Sequence, residues 1–350
     1  MPRTRPYTAF APALAAAALL ALTACDNDVE LLGDDPAVPV VFGAFNSVDD
    51  LQTVSVTKTF RFAEGAGARE AAMTPDSVYF AVEDLAVIAT NLSTGATTTA
   101  ERFDASAEGI ARAPGAFPTA PNFAYRYDAE VLELEPGDSL ELRLERSGAD
   151  PALVRLPVLP ELGYVRSREP PERYALTAEN EFTTNWRVDV DEPEDADALS
   201  LFEVGFNFAY LETDAAGATR AKTLYWPAAT NRTATGDSRP RSTASIDMSV
   251  LFDVLLGELD SIPDGSRRFR YLQIVITGGD QSFVDYLDLL RANTGITSTQ
   301  ELPPFSNVEN ALGLYASITQ LSQDTFATLS PASFDMLFTD DELAPLNFRP

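Results

Sequence analysis

The residues whose types and spacing could do chemistry fall into a few groups. Asp189-Val190-Asp191-Glu192-Pro193-Glu194-Asp195-Ala196-Asp197 packs carboxylates at the spacing calcium loops use. Asp189, Asp191, Asp195 and Asp197 would be the ligands. The run lacks the glycine that lets an EF-hand loop turn, and Pro193 sits inside it, so a solvated acidic loop is the competing reading. Trp186, Tyr225 and Trp226, with Phe123, Tyr125 and Tyr127, offer π faces on which sugar rings could stack, although aromatics in strands more often fill a core. Ser55-Val56-Thr57-Lys58 has a Ser-x-x-Lys spacing, which activates a serine only where a helical turn brings the lysine beside it. Here the string lies in an alternating stretch, and residues three apart on a strand point to opposite faces.

Absences narrow the chemistry further. The 350 residues include no histidine and one cysteine, Cys25. Ser-His-Asp and Cys-His machinery and histidine-ligated metals are therefore excluded, as are disulfides within the chain and zinc-thiolate sites. Lys58 and Lys222 are the two lysines. Carboxylates, hydroxyls and arginine remain. Glycoside hydrolysis by two inward carboxyls, about 5–9.5 Å apart, is the enzyme class least excluded. No catalytic set can be assigned, and calcium is the sole cofactor candidate. A formal charge of −28 argues against nucleic-acid binding and suits a solvated exterior. Hydrophobic residues make up 45%, as in a folded chain.

The elements that must position these residues are mostly strands. Thr53 to Phe62 alternates, with Val54, Val56, Phe60 and Phe62 on one face. Ser77–Val82, Leu85–Thr90 and Thr97–Thr99 read as further strands. Val131–Leu134 and Leu140–Leu144 read as a hairpin across Glu135-Pro136-Gly137-Asp138, since proline then glycine suits a type II turn. Short strands with such turns predict an immunoglobulin-like β-sandwich over residues 40–160. Residues 161–350 predict a second β-rich domain with two or three helices. Phe202, Val204, Phe206, Phe208 and Tyr210 alternate before a turn at Asp214-Ala215-Ala216-Gly217 and a return strand at Ala221–Trp226. Ile246–Leu259 is helical in spacing, and Phe269–Thr277, apolar on both faces, is a central strand. A second helix carries Phe283, Tyr286, Leu287 and Leu290 and stops near Gly295; a third starts at Ser330-Pro331.

At the front, Arg3 and Arg5 precede an apolar run from Phe10 to Leu22 that is too short to span a bilayer, which predicts a signal peptide over residues 1–24. Leu22-Thr23-Ala24-Cys25 resembles the bacterial lipobox. That resemblance implies cleavage before Cys25, a diacylglyceryl group on its sulfur and an acylated amino terminus. Each buried methylene adds about 0.8 kcal/mol, so three acyl chains would anchor the protein stably without a basic patch. Residues 25–39 form an acidic tether. Asp26 directly after the cysteine resembles an inner-membrane retention signal, and the acidic cluster Asp26-Asn27-Asp28-Val29-Glu30 resembles the surface-export signal of Bacteroidota lipoproteins.

Ser306-Asn307-Val308-Glu309-Asn310-Ala311-Leu312-Gly313-Leu314-Tyr315-Ala316-Ser317, after Phe305, resembles a near-terminal segment of uncharacterised Bacteroidota outer-membrane lipoproteins, of the form aromatic-x-Asn-Ile-x-Asn-Gly-Leu-Gly-Ile-Phe-x-Ser. Tyr286 in the preceding helix and the closing Leu346-Asn347-Phe348 strand match that family too. Ala311 stands where the family has glycine, Tyr315 where it has phenylalanine and Ile318 where arginine is frequent. The resemblance implies an outer-membrane lipoprotein working beside TonB-dependent transporters, and it carries over no catalytic residue. The expectation is thus a lipid-anchored, surface- or periplasm-facing lipoprotein that serves as a binding or accessory module of envelope transport or surface assembly. A carboxylate-dependent glycan hydrolase and a structural or adhesive spacer are the alternatives.

Overall fold

A computed structural model describes residues 37–59, 67–110, 112, 115, 117–164, 170–176, 181–188, 197–232, 241–293, 306–322 and 326–350. The chain is mainly β, and Ala37–Pro350 form one compact unit. The first half runs β1 (Pro39–Asn46), β2 (Leu51–Lys58), short helices α1 (Ala68–Ala72) and α2 (Pro75–Val78), β3 (Leu85–Asn91), β4 (Thr97–Thr99), β5 (Glu101–Asp104), β6 (Phe123–Asp128), β7 (Ser139–Arg146) and β8 (Ala152–Pro157). The second half runs β9 (Leu162–Tyr164), β10 (Arg173–Tyr174), β11 (Glu181–Val188), β12 (Leu201–Thr213), β13 (Thr219–Arg232), β14 (Arg241–Asp247), α3 (Val250–Glu258), β15 (Ser266–Gly279), α4 (Gln281–Asn293), β16 (Leu312–Ser322), β17 (Thr328–Leu329) and α5 (Pro331–Thr339).

These strands form an eight-stranded sheet in the order β13-β12-β15-β16-β1-β2-β6-β5, a four-stranded sheet β4-β3-β7-β8, a three-stranded sheet β14-β11-β9 and the pair β10-β17. The first core is sandwiched between the β1-β2-β6 end of the large sheet and the four-stranded sheet. Val41, Val54, Val56 and Tyr127 meet Val87, Leu140, Leu142 and Leu144 there. A second core gathers Trp186, Phe202, Phe206, Phe208, Leu272, Ile274 and Ile276. The two clusters divide between Val158 and Leu159, close to the expected boundary, but the large sheet crosses it. The crossing is the parallel pairing of β1 with β16, from Val40 opposite Leu312 to Asn46 opposite Ile318. It brings Tyr315 into the first core, where its phenol shares a 3.0 Å hydrogen bond with that of Tyr127.

Several elements differ from their sequence patterns for local reasons. Ser77–Val82 is no strand. Pro75, at the first position of α2 after Thr74, has the fixed φ that starts a helical turn, and the chain turns again at Val82–Asp84. Glu130–Leu132 is a 3₁₀ turn rather than a hairpin arm, so β7 pairs with β3 and β8. Gly137 nonetheless has the positive φ (88°) expected of it. The helix expected from Ile246 starts at Val250, because Ile246 belongs to β14 and Asp247 accepts from the Ser249 amide and hydroxyl (2.9 and 2.7 Å) to turn the chain. Leu346 ends a 3₁₀ turn and Phe348 makes a single bridge with Arg267, in place of a closing strand. The long strands β12 and β15, the turn at Asp214–Gly217 and the helix starting at Pro331 are as expected. Phe60, Phe62 and Gly295 lie outside the described residues.

Candidate functional site

The end of β2 starts the site. Alternation turns Val54 and Val56 into the first core and leaves Lys58, on the same face, at the edge of that core. Ser55 lies on the other face, so the Ser-x-x-Lys string assembles no nucleophile. α2 then delivers Pro75 and Asp76, and Tyr79 follows it, its amide donating to the Pro75 carbonyl (2.8 Å). The Tyr79 ring is buried edge-on against Phe123 (5.1 Å between centroids), and its hydroxyl donates to the Pro121 carbonyl (3.2 Å). β5 supplies Arg102 and β6 supplies Phe123, with Arg102 opposite Tyr125 in the ladder.

These residues enclose a cleft of about 310 Å³, with Phe80, Ala81, Val82 and Asp84 completing the described lining. The Arg102 guanidinium lies 3.9 Å from the centre of the Phe123 ring, and its Nη1 donates to the Phe80 carbonyl (2.8 Å). The Lys58 ammonium sits 5.6 Å from the centre of the Phe80 ring. Both are cation–π arrangements that orient a charge without neutralising it. Among the described residues no carboxylate comes within ion-pair distance of either cation; the pairs formed by Arg126, Arg143, Arg155, Lys222, Arg232 and Arg267 lie elsewhere. Lys58 and Arg102 thus bring two positive charges to one cleft with no carboxylate partner among the described residues. Asp76 and Asp84, both exposed, line the same cleft. Behind it, burial pushes the Tyr125 phenol up and the Arg102 charge offsets part of that rise.

A second cavity of about 450 Å³ is more apolar, lined by Phe269, Phe334 and Phe338 with Arg268 and Arg349 at its edge. Phe334 and Phe338 stack 5.5 Å apart, one turn apart on α5.

The sequence-predicted sites fare unevenly. Leu22, Thr23, Ala24 and Cys25 lie outside the described residues, as do Asp189, Asp191 and Asp195. Asp197 is exposed in a turn, and among the described residues no three acidic or cysteine side chains converge as metal ligands. The stacking set is corrected. Trp186 is fully buried, edge-on to Phe202 (5.5 Å), and Trp226 is buried and stacked on Phe206 (5.4 Å), because the inward face of each strand carries them into the second core. Tyr225 is 40% exposed but donates to Glu203 (2.7 Å); burial of its phenol and the Glu203 charge push its pKa up. Tyr125 and Tyr127 are core residues, whereas Phe123 reaches the cleft.

Buried carboxylates are committed to structure. Glu141 accepts from Arg155 (2.9 Å), and Asp280 caps α4 by accepting from the Phe283 amide (2.9 Å). Sequence reasoning missed Arg102, Tyr79 and Phe80. The available signal was Lys58, one of two lysines in the chain. Among the described residues no helix is long and apolar enough to cross a membrane. No family model matches the chain, and no curated protein matches it.

Proposed function

We propose that this is a lipid-anchored outer-membrane lipoprotein, held through Cys25 and acting as a binding or accessory module of an envelope transport or surface assembly. The observation that carries the reading is the cysteine of Leu22-Thr23-Ala24-Cys25, placed where an apolar run ends and a short acidic stretch before the compact unit that begins at Ala37. The cleft at Lys58 and Arg102 supports binding as the role of that unit. Its described lining holds oriented charge but no nucleophile beside a base. Resemblance of the 305–317 segment to outer-membrane lipoproteins of Bacteroidota favours a TonB-dependent transporter as the neighbour.

The test is metabolic labelling with a fatty acid followed by membrane fractionation. Wild-type protein should carry label and sediment with membranes; Cys25→Ser should lose the label and the anchor. A Cys25→Ser protein that remains as firmly membrane-bound as wild type would overturn the reading. Capture from membranes in mild detergent addresses the accessory role, with co-purification of an outer-membrane transporter as the expected result.

For the hydrolase alternative, Asp76 and Asp84 are a carboxylate pair facing a cleft among the described residues. Both are exposed on the cleft rim, whereas the acid and base of this class work from a water-excluded cleft around the scissile bond. Binding is therefore the better supported use of that surface.

A further inference from the structure

We infer that the Lys58–Arg102 cleft binds a small zwitterion, the two ends of a free dipeptide, with carboxylate on the cations and ammonium on Asp76 and Asp84. The inference rests on reading the protein as a binding module. Arg102 carries the argument. Its guanidinium is fixed by the Phe123 face at 3.9 Å and by one hydrogen bond, to the Phe80 carbonyl. Its other N–H groups make no hydrogen bond among the described residues and face the cleft as a planar fork of the kind that matches a carboxylate. A guanidinium already immobilised loses little further freedom on binding. Lys58, held near the Phe80 ring, adds a second positive charge to the same cleft.

The carboxylates decide what else the ligand must carry. Asp76 and Asp84 leave the described lining with two positive and two negative groups. A phosphate or dicarboxylate would gain from the cations and lose to the carboxylates. A neutral sugar would leave both cations without a partner, a cost that buried or half-buried charge does not recover. A molecule with one carboxylate and one ammonium satisfies both pairs by charge-assisted hydrogen bonds. The volume, about 310 Å³, is at the small end of ligand cavities and suits two residues rather than an extended peptide.

The experiment is calorimetric titration of the detergent-solubilised full chain with alanyl-leucine, N-acetyl-alanyl-leucine and alanyl-leucine amide. The free dipeptide should bind, and blocking either end should weaken binding roughly tenfold or more. Lys58→Gln should weaken the free dipeptide roughly tenfold while the protein still melts cooperatively, since Lys58 makes no ion pair among the described residues and loses only its contact with the Phe80 ring. Arg102→Lys keeps the charge but not the fork, and should weaken it as much. Three results would overturn the inference: no heat at millimolar dipeptide, affinity indifferent to Lys58→Gln, or affinity indifferent to blocking the amine. The last would leave a monocarboxylate site in which Asp76 and Asp84 have no part. Binding and lipid anchoring separate cleanly, because Cys25→Ser should abolish the anchor and leave the titration as in wild type.

Discussion

Two residues show how much single positions determine here. Gly313 has φ of 105°, and a Cβ there would run into the Val41 carbonyl, where β16 comes alongside β1. Both strain and collision act against any other residue, so Gly313→Ala should destabilise by about 3 kcal/mol, read from the urea midpoint at constant slope. Ala311, two residues earlier, stands where the lipoproteins this segment resembles carry glycine, yet the left-handed positions of the segment are Asn310 (φ 56°) and Gly313. Ala311→Gly should therefore gain nothing and cost less than about 1 kcal/mol. Glu212 gives a pH dependence. Burial pushes its carboxyl up, but hydrogen bonds from Lys222 and Arg267 outweigh that, so it titrates below its ordinary 4.5. On acidification the unfolded chain takes up the proton first. The stabilisation is complete above pH 4.5 and is lost as pH falls through the lower folded value. Glu212→Gln removes the counter-ion of Arg267, which is 4% exposed and otherwise donates to the Asp260 and Leu346 carbonyls, and should cost about 3 kcal/mol at pH 7. The difference from wild type should shrink in acid; a difference that is constant from pH 7 to pH 3 would refute the assignment.

At the scale of elements, periodicity was legible wherever packing agreed with it. β12 and β7 alternate along their core faces, through Phe202, Val204, Phe206, Phe208 and Tyr210 and through Leu140, Leu142 and Leu144, although Leu201, Gly205, Ala209 and Glu141 are buried as well; β15, apolar on both faces, is buried without a break from Ile274 to Gly279. α5 was legible from its cap: Ser330 accepts from the Ser333 amide (3.2 Å) with Pro331 at the first helical position. Ser330→Ala should cost about 1 kcal/mol in thermal or urea unfolding, and a helix whose stability ignores that change would mean the cap contributes nothing. The pattern misled where composition and backbone disagreed. Val78, Tyr79 and Phe80 look like a strand, yet Pro75 starts a helical turn that ends at Val78, and Tyr79 and Phe80 follow it into the wall of the cleft. Much of the cleft wall comes from one stretch, Pro75 to Asp84, but its two cations come from β2 and β5, far apart in the chain. No local window holds more than one of its two cations. The tryptophans were legible as aromatic payload, and their side of the strand decides that they pack rather than stack on a ligand.

At the scale of the molecule, fold class and the two cores were readable from strand patterns, while the sheet that joins them was not. Its central pairing unites residues 40–46 with 312–318, a separation that no periodicity reports. Such non-local pairing is entropically costly to form and must be repaid by what it buries. Here the repayment is concrete. β16 places Tyr315 and the preceding segment places Val308 among the first core's buried residues, and the Glu309 and Leu153 backbones bond to each other (2.8 and 3.1 Å). Asn307 adds to it by accepting from the Tyr315 amide (3.1 Å) and donating to its carbonyl (2.7 Å), standing in for a neighbouring strand. A fragment of residues 37–160 would keep both sheets of the sandwich but lose this column. β1 would become an open edge and the Tyr127 hydroxyl would lose its buried partner. We expect that fragment to show no cooperative thermal transition by circular dichroism, and expect one to return when residues 306–322 are fused behind a flexible linker. A sharp transition in the fragment alone would mean that the first core is self-sufficient and that the shared sheet merely docks two independently stable bodies.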